Sequence, residues 1–295
     1  MSESLLGIDP FQNKIRVDQS DRREHMYLLG ASGTGKSTLL TSLILEDIKQ
    51  GLGVAVLEPH GSLIENVLKG MQTLKNPRYN DVIYLDITSN YVWGMNLFQC
   101  SDLNDIFAVE NTINQVMTLL TKVYDITPQT PHMWQFFLNI AQTFIYNPPY
   151  GFLDVPRLFS DKAFTLDLAT NVPNAQVQWF WKNFFENKSR HQQTEDYNSI
   201  VNKLDEFFRP VLKTIFGQQT STIDLRKIMD ERKILLCRLN ARWESLTKIT
   251  GSALVAAILD AAYSRQNIAQ NKRKQFNAYF DEFQWFESKL FAQLF

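Results

Sequence analysis

Several things are scarce in this chain, and each scarcity closes off a class of protein. Of 295 residues only two are cysteine, Cys100 and Cys237. They form no CxxC and no metal-ligand spacing, so a disulfide scaffold and a zinc ribbon are excluded, and two reduced thiols in a cytoplasmic protein are expected. No charge of one sign dominates: the formal net charge is -1. The whole chain is therefore not a basic nucleic-acid coat, although a few loops are enough to build a basic patch. MSESLLGIDPFQNK lacks the basic start and apolar run of a signal peptide. The longest apolar stretch, Ala253 to Tyr263, is too short to span a bilayer and carries Asp260 within it, so no direct membrane span is expected. There is no internal repeat and no low-complexity segment.

The remaining composition, 44% hydrophobic and 21% charged, is that of a globular chain long enough to bury a sizeable core. Its first third alternates strand and helix signals. Strand candidates are Lys14 to Val17, His25 to Leu29 (HMYLL), Gly53 to Leu57 (GVAVL) and Asp81 to Asp86 (DVIYLD). A helix is expected from Gly35 to Lys49, with Leu39, Leu40, Leu43 and Ile44 on one face. Ser62-Leu-Ile-Glu65 fits a capping box opening a second helix. This rhythm predicts an α/β fold with a parallel sheet covered by helices.

From about residue 101 to 229 the pattern is helical throughout. WQFFLNIAQTFIY and VQWFWKNFF are aromatic-rich helix candidates whose periodic faces read as a core rather than a base-stacking surface. Pro128, Pro131, Pro148, Pro149, Pro156 and Pro173 separate these helices. The β signal returns at Lys233 to Leu239 (KILLCRL) and Gln275 to Phe280 (QFNAYF), with a helix between them over Ser252 to Gln266. A last helix is expected near Glu287. The predicted organisation is thus a core of residues 1–100 and 230–295 with an inserted all-α domain at 101–229.

The segment Gly30-Ala-Ser-Gly-Thr-Gly35-Lys36-Ser37 matches GxxxxGK[ST] in full, the Walker A pattern of a P-loop. Glycines let the backbone wrap a phosphate without Cβ clashes. The loop's N–H groups and the following helix N-terminus face the anion. Lys36 reaches the β and γ phosphates and the Ser37 hydroxyl ligates Mg2+. The nucleotide-binding set is Gly30, Ser32, Gly33, Thr34, Gly35, Lys36, Ser37 and Thr38, and the implied cofactors are ATP and Mg2+. A P-loop needs a partner carboxylate. Asp281 at the tip of the last apolar strand is the candidate second metal ligand, and Glu282 the candidate general base, the pair forming a Walker B motif. The competing reading of that pair is an acidic N-cap. The interval from Lys36 to Asp281 is far longer than a plain nucleoside kinase or small GTPase requires, and no LSGGQ-like signature of a transporter ATPase precedes Asp281.

These motifs together resemble the HerA–FtsK class of ring-forming DNA-pumping ATPases, and within it the conjugative and type IV secretion coupling ATPases. HMYLLGASGTGKSTLL is similar to the class's loop, VAVLEPHGSLIENVL to its V-apolar-DPHGDL segment, VIYLDITSNYVWGMNLF to its next strand, and NAYFDEFQWF to its DEFQ signature. The resemblance implies a RecA-like P-loop core with an inserted helical domain, a hexameric ring, double-stranded DNA as substrate, a membrane secretion or relaxase protein as partner, and a trans-acting arginine. Arg238, Arg242 and Arg265 are candidates for that arginine, and each equally fits a surface salt-bridge partner. Glu58 and Ser62 stand where the class has Asp, and His60 either senses nucleotide or braces its turn. The class continues past Walker B with a strand carrying a polar sensor, so a C-terminally truncated reading of a longer protein is expected. The short basic runs Lys272-Arg273-Lys274 and Lys188-Ser-Arg190 read as solvated faces. Two other readings compete: a P-loop ATPase acting on a partner other than DNA, and a nucleotide-switched binding module.

Overall fold

The computed structural model describes residues 3–285 apart from 9, 19, 32 and 92. In chain order it contains β1 (Glu3–Ile8), β2 (Lys14–Asp18), α1 (Lys36–Lys49), β3 (Gly53–Glu58), α2 (Ser62–Met71) and β4 (Val82–Asp86). A helical series follows: α3 (Ile106–Tyr124), α4 (Pro131–Ile145), α5 (Val155–Ser160), α6 (Lys162–Thr170), α7 (Ala175–Asn187), α8 (Arg190–Leu204), α9 (Pro210–Phe216) and α10 (Leu225–Asp230). Then come β5 (Ile234–Arg238), α11 (Glu244–Ser264) and β6 (Phe276–Phe280). The chain forms two compact units, one of Met1–Thr88, Leu225–Thr247 and Arg265–Phe295, the other of Ser89–Asp224 and Lys248–Ser264.

The first unit is built on a four-stranded sheet in the order β4-β5-β3-β6. Every pairing in it is parallel, with Leu57 opposite Phe280 and Glu58 opposite Arg238. All six residues of β3 are buried, which explains its unbroken apolar run: a parallel strand covered on both faces has no polar side to alternate with. Leu43, Ile44 and Ile48 of α1 and Leu63, Ile64, Val67 and Met71 of α2 close over Val54, Val56, Ile234 and Leu236. Each such buried side chain contributes about 1.5–3 kcal/mol. β1 and β2 form a separate antiparallel pair whose register shifts between Leu5 and Gly7.

A polar knot ties this unit together. Asp47, fully buried near the end of α1, takes two hydrogen bonds from Arg22 at 2.7 and 2.8 Å. It also accepts from Asn277 Nδ2 at 2.6 Å and from the Tyr279 hydroxyl at 2.5 Å, both on β6. Arg22 in turn donates to Tyr279 Oη and to Ser4 Oγ on β1. Burial, reinforced by the Asp47 charge, raises the Tyr279 hydroxyl's pKa well above its usual value.

The second unit has an aromatic interior. Phe136, Phe137, Phe144, Phe152, Trp181, Phe184 and Phe207 are among its most buried side chains. Phe152 stacks on Phe207 at 4.3 Å and Phe136 meets Phe180 edge-on at 5.0 Å, arrangements that satisfy the ring quadrupoles. The Trp181 indole N–H finds Thr143 Oγ1 at 2.9 Å, so no polar atom of that ring is stranded. Pro131 and Pro156 open helices rather than ending them, since the first turn needs no N–H there. Side chains of Asp105, Asp161, Asn174 and Ser189 cap α3, α6, α7 and α8. Lys188 departs from the solvated face expected of it: its ammonium sits 2.5 Å from the buried Asp196 carboxylate.

Two sequence expectations are corrected. His25 to Leu29 is not a strand: residues 25–30 have no regular structure, and Leu29 is 79% exposed. An apolar run becomes a strand only where a neighbour offers a ladder, and among the described residues β6 pairs with β3 alone. The helix expected over 252–266 begins earlier, at Glu244. The stretch 244–267 is therefore long and apolar enough, by length and composition, to cross a membrane, although 72% of its most apolar window is buried inside the protein. The helix expected near Glu287 lies outside the described residues.

The Asp47 knot makes a measurable prediction. Asp47→Ala leaves the Arg22 guanidinium buried without its partner and should lower unfolding free energy by about 3–5 kcal/mol in urea titration. The double variant Arg22→Met/Asp47→Leu should recover the part of that loss due to the stranded guanidinium, leaving the part due to Asn277 and Tyr279. If the single variant loses no more than an exposed substitution does, the knot is not a structural tie.

Candidate nucleotide-binding site

The P-loop runs from Gly30, at the end of the irregular segment that follows residue 24, into the first turn of α1. Gly33 and Gly35 take φ of +79° and +94°, in the left-handed region that a Cβ resists. Gly35 is the N-cap of α1, so the helix opens with the Lys36 and Ser37 N–H groups unsatisfied and its positive dipole end facing the loop. Thr34 closes the loop on itself, its hydroxyl donating to Ala31 O at 2.8 Å. The Lys36 ammonium folds back to Gly30 O at 2.8 Å. Gly30, Gly33, Thr34, Gly35 and Thr38 are exposed, and Lys36 and Ser37 partly so. Ser32 lies outside the described residues.

The acidic pair follows β6 directly. Asp281 N donates to Leu57 O at 3.0 Å, carrying the parallel pairing one residue past the strand. The Asp281 carboxyl is pushed above the usual range, first by burial and then by the Glu282 charge. The Glu282 N–H, His60 and Lys36 pull it the other way. Lys36 and Asp281 are thus within electrostatic reach of each other, although the sequence separates them by most of the chain. Glu282 has φ of +53°, rare for a residue with a side chain. Its N–H donates to Asp281 Oδ1 at 3.1 Å, its carbonyl accepts from Trp285 N at 3.0 Å, and its carboxylate accepts from Gln284 Nε2. Just beyond, Phe283 meets Tyr27 edge-on at 5.1 Å, which fastens the acidic turn to the segment entering the P-loop.

The turn after β3 corrects the expected capping box. Ser62 is the first helical residue, not the N-cap; Gly61 holds that place at φ +88°, without a side-chain cap. The cap comes from the strand. The buried Glu58 carboxylate accepts from Leu63 N at 2.6 Å, Ile64 N at 2.8 Å and Ser62 Oγ at 3.2 Å. A negative charge at this helix N-terminus is also favoured by the dipole. With its oxygens engaged in this way, Glu58 is a structural cap rather than a free metal ligand. A Cβ on Gly61 would stand 2.7 Å from Arg238 Nε, so the turn admits glycine alone without a shift.

The three candidate arginines have different surroundings. Arg238 lies against Gly61 and approaches Glu65 at 3.8 Å, and its guanidinium pKa is raised first by the neighbouring Tyr84. Arg265 is buried, paired with Asp230 at 3.1 Å and donating to Lys274 O, so it serves the interior. Arg242 is exposed, as is His60. Among the described residues no cluster of three or more His, Cys, Asp or Glu side chains forms a metal centre on its own.

A parallel sheet with a glycine loop at a helix N-terminus and two acids at a strand's C-terminal end defines a RecA-like P-loop nucleotide-binding fold. Solved structures similar to it include those of the conjugative coupling protein TrwB. The unbound monoclinic form of the bacterial protein TrwBdeltaN70 aligns at a TM-score of 0.62 with 14% identity, over 92% of this chain and 58% of that one. TrwB with ADP and Mg2+ gives 0.53 and 11%, over 89% and 65%. TrwB with the ATP analogue ADPNP gives 0.54 and 14%, over 90% and 58%. This chain therefore spans about three fifths of the length of the first of these. The sequence matches no family model and no curated protein.

Two outcomes follow from this geometry. Glu58→Gln turns an N–H donor toward backbone donors and should cost about 1–3 kcal/mol in chemical unfolding. Asp281→Asn should act in the opposite direction. Folding raises the Asp281 pKa, so stability is lost as pH rises from the ordinary Asp value through the folded one. The Asn variant should therefore match the parent at acidic pH and exceed it in melting temperature above that window; a variant that gains nothing on raising the pH would show that burial of Asp281 carries no penalty.

Proposed function

We propose that this chain is an ATPase whose turnover drives the movement of double-stranded DNA, working as a hexameric ring in the manner of conjugative coupling proteins. The observation that carries the ATPase part is a complete P-loop opening α1 together with the Asp281–Glu282 pair at the end of β6, whose turn the Phe283–Tyr27 contact fastens to the segment entering that loop. Support comes also from TrwB structures that hold ADP with Mg2+ and the non-hydrolysable analogues ADPNP and GDPNP on the same fold. The DNA, the ring and any secretion or relaxase partner rest on the motif resemblance and on TrwB being a plasmid coupling protein.

In this reading the N–H groups from Gly30 to Thr38 cradle the phosphates, and Lys36 exchanges Gly30 O for a phosphate oxygen. Ser37 and Asp281 would hold Mg2+, which neutralises charge on the phosphate oxygens when bound. Glu282 takes a proton from water as the water oxygen bonds to the γ phosphorus. The bond from that phosphorus to the bridging oxygen breaks, and ADP leaves with the electron pair. The raised Asp281 pKa fits this role, because a half-desolvated carboxylate gains most from a cation.

The test is ATP turnover by the purified chain with and without double-stranded DNA, with Lys36→Ala as background. Lys36→Ala should abolish tight ATP binding. Glu282→Gln should retain binding and lose turnover by about 10²–10⁴-fold. DNA should stimulate the unsubstituted chain, in a manner that weakens steeply with salt. Equal rates with and without DNA would remove the translocase part, and binding without turnover would leave a nucleotide-switched module. Normal hydrolysis by Glu282→Gln would remove Glu282 as the base.

A further inference from the structure

The turn after β6 contains a hydrogen bond that the ATPase reading does not need for folding. Gln284, an exposed residue, donates from Nε2 to Glu282 Oε2. The two residues are two apart in a tight turn closed by Trp285 N on Glu282 O. Glu282 itself sits in the left-handed region. A residue with a Cβ persists there only when its surroundings over-determine it, and such strain gathers where geometry serves function. Three bonds do so here: the Asp281 side chain on the Glu282 N–H, Trp285 on its carbonyl, and Gln284 on its carboxylate.

We propose that Gln284 is a positioning residue for the general base, an inference that rests on the hydrolysis reading above. A glutamate on a turn otherwise samples several rotamers, and a base contributes only when aimed at its water. Gln284 engages one carboxylate oxygen and leaves the other, Oε1, without a hydrogen bond among the described residues. That oxygen is the one left to accept the water's proton. A carboxamide suits this place because it donates without competing for the proton and adds no charge beside Asp281. The tie is local: Gln284 makes no other hydrogen bond among the described residues, so its loss should alter aim rather than fold.

The experiment uses the full chain and compares steady-state ATP hydrolysis by the parent, Lys36→Ala, Glu282→Gln, Gln284→Leu, Gln284→Glu and the double variant Glu282→Gln/Gln284→Leu. The Leu variant removes the donor at similar size; the Glu variant keeps the length but repels Glu282. Both should lower kcat about 10-fold or more with KM for ATP unchanged, the range seen when a residue orienting a site group is lost. Their melting temperatures and binding of a fluorescent ATP analogue should equal the parent's. Against Glu282→Gln, the Leu substitution should cause no further loss, because residues acting as a unit are non-additive. A Leu variant within twofold of the parent kcat overturns the inference alone, as does an equal fractional loss in both backgrounds. A raised KM with a lowered melting temperature would make Gln284 merely structural. A parent chain that turns over no faster than Lys36→Ala overturns hydrolysis and this inference together, so the two failures read differently.

Discussion

The first unit depends on one buried carboxylate. Asp47 gathers donors from Arg22, Asn277 and Tyr279, and so joins the helix that begins at Lys36 to the strand that ends at Phe280, just before Asp281. An ionised acid in such a place is tolerable only if its lone pairs are filled, and removing any one partner exposes the rest to the full penalty of burial. The knot therefore behaves as a unit. Through Ser4 it also reaches β1, so the strand pair at the start of the chain is held by the same arginine that neutralises the acid. With α1 and β6 fastened near this point, the P-loop and the acidic pair inherit a fixed relation across the sheet.

Around the candidate site the residues with positive φ lie in loops, while the sheet between them is regular. Gly33 and Gly35 bend the P-loop, Gly61 bends the turn after β3, and Glu282 bends the turn after β6. The first three are glycines, for which positive φ carries no Cβ strain. Glu282 is not, and its conformation must be held by neighbours. A regular parallel sheet presenting irregular loops is the arrangement in which small side-chain differences decide chemistry.

What could be read in the sequence was what is local. The P-loop, the strands at Gly53, Val82, Ile234 and Phe276, and the helical middle all follow from patterns that span a few residues. What could not be read depends on partners distant in the chain. The Asp47 knot joins residues far apart in sequence, and nothing in the α1 periodicity marks the acid as buried. HMYLL has every local feature of a strand and lacks only a ladder. The early start of α11 was hidden by Gly251, which ordinarily weakens a helix by about 1 kcal/mol but here is buried within one. At the candidate site the Asp281–Glu282 pair stood out as an acidic dipeptide after an apolar strand. The role of Gln284 did not, because it depends on how a turn two residues long is wound.

The Glu58 cap bears on how this sequence relates to those it resembles. Its carboxylate reaches over the turn to Leu63 through Oε1 and Ile64 through Oε2, and the Ser62 hydroxyl donates to the oxygen that Leu63 also engages. A lineage that shortened Glu58 to Asp would draw the acid back by one methylene and leave those N–H groups in want of an acceptor. An Asp at position 62 would then supply one from the other side of the turn. The pair Glu58 and Ser62 and the pair Asp and Asp are thus two solutions to one capping problem, and these two positions should drift together through evolution, each change permissive for the other, rather than as independent sites.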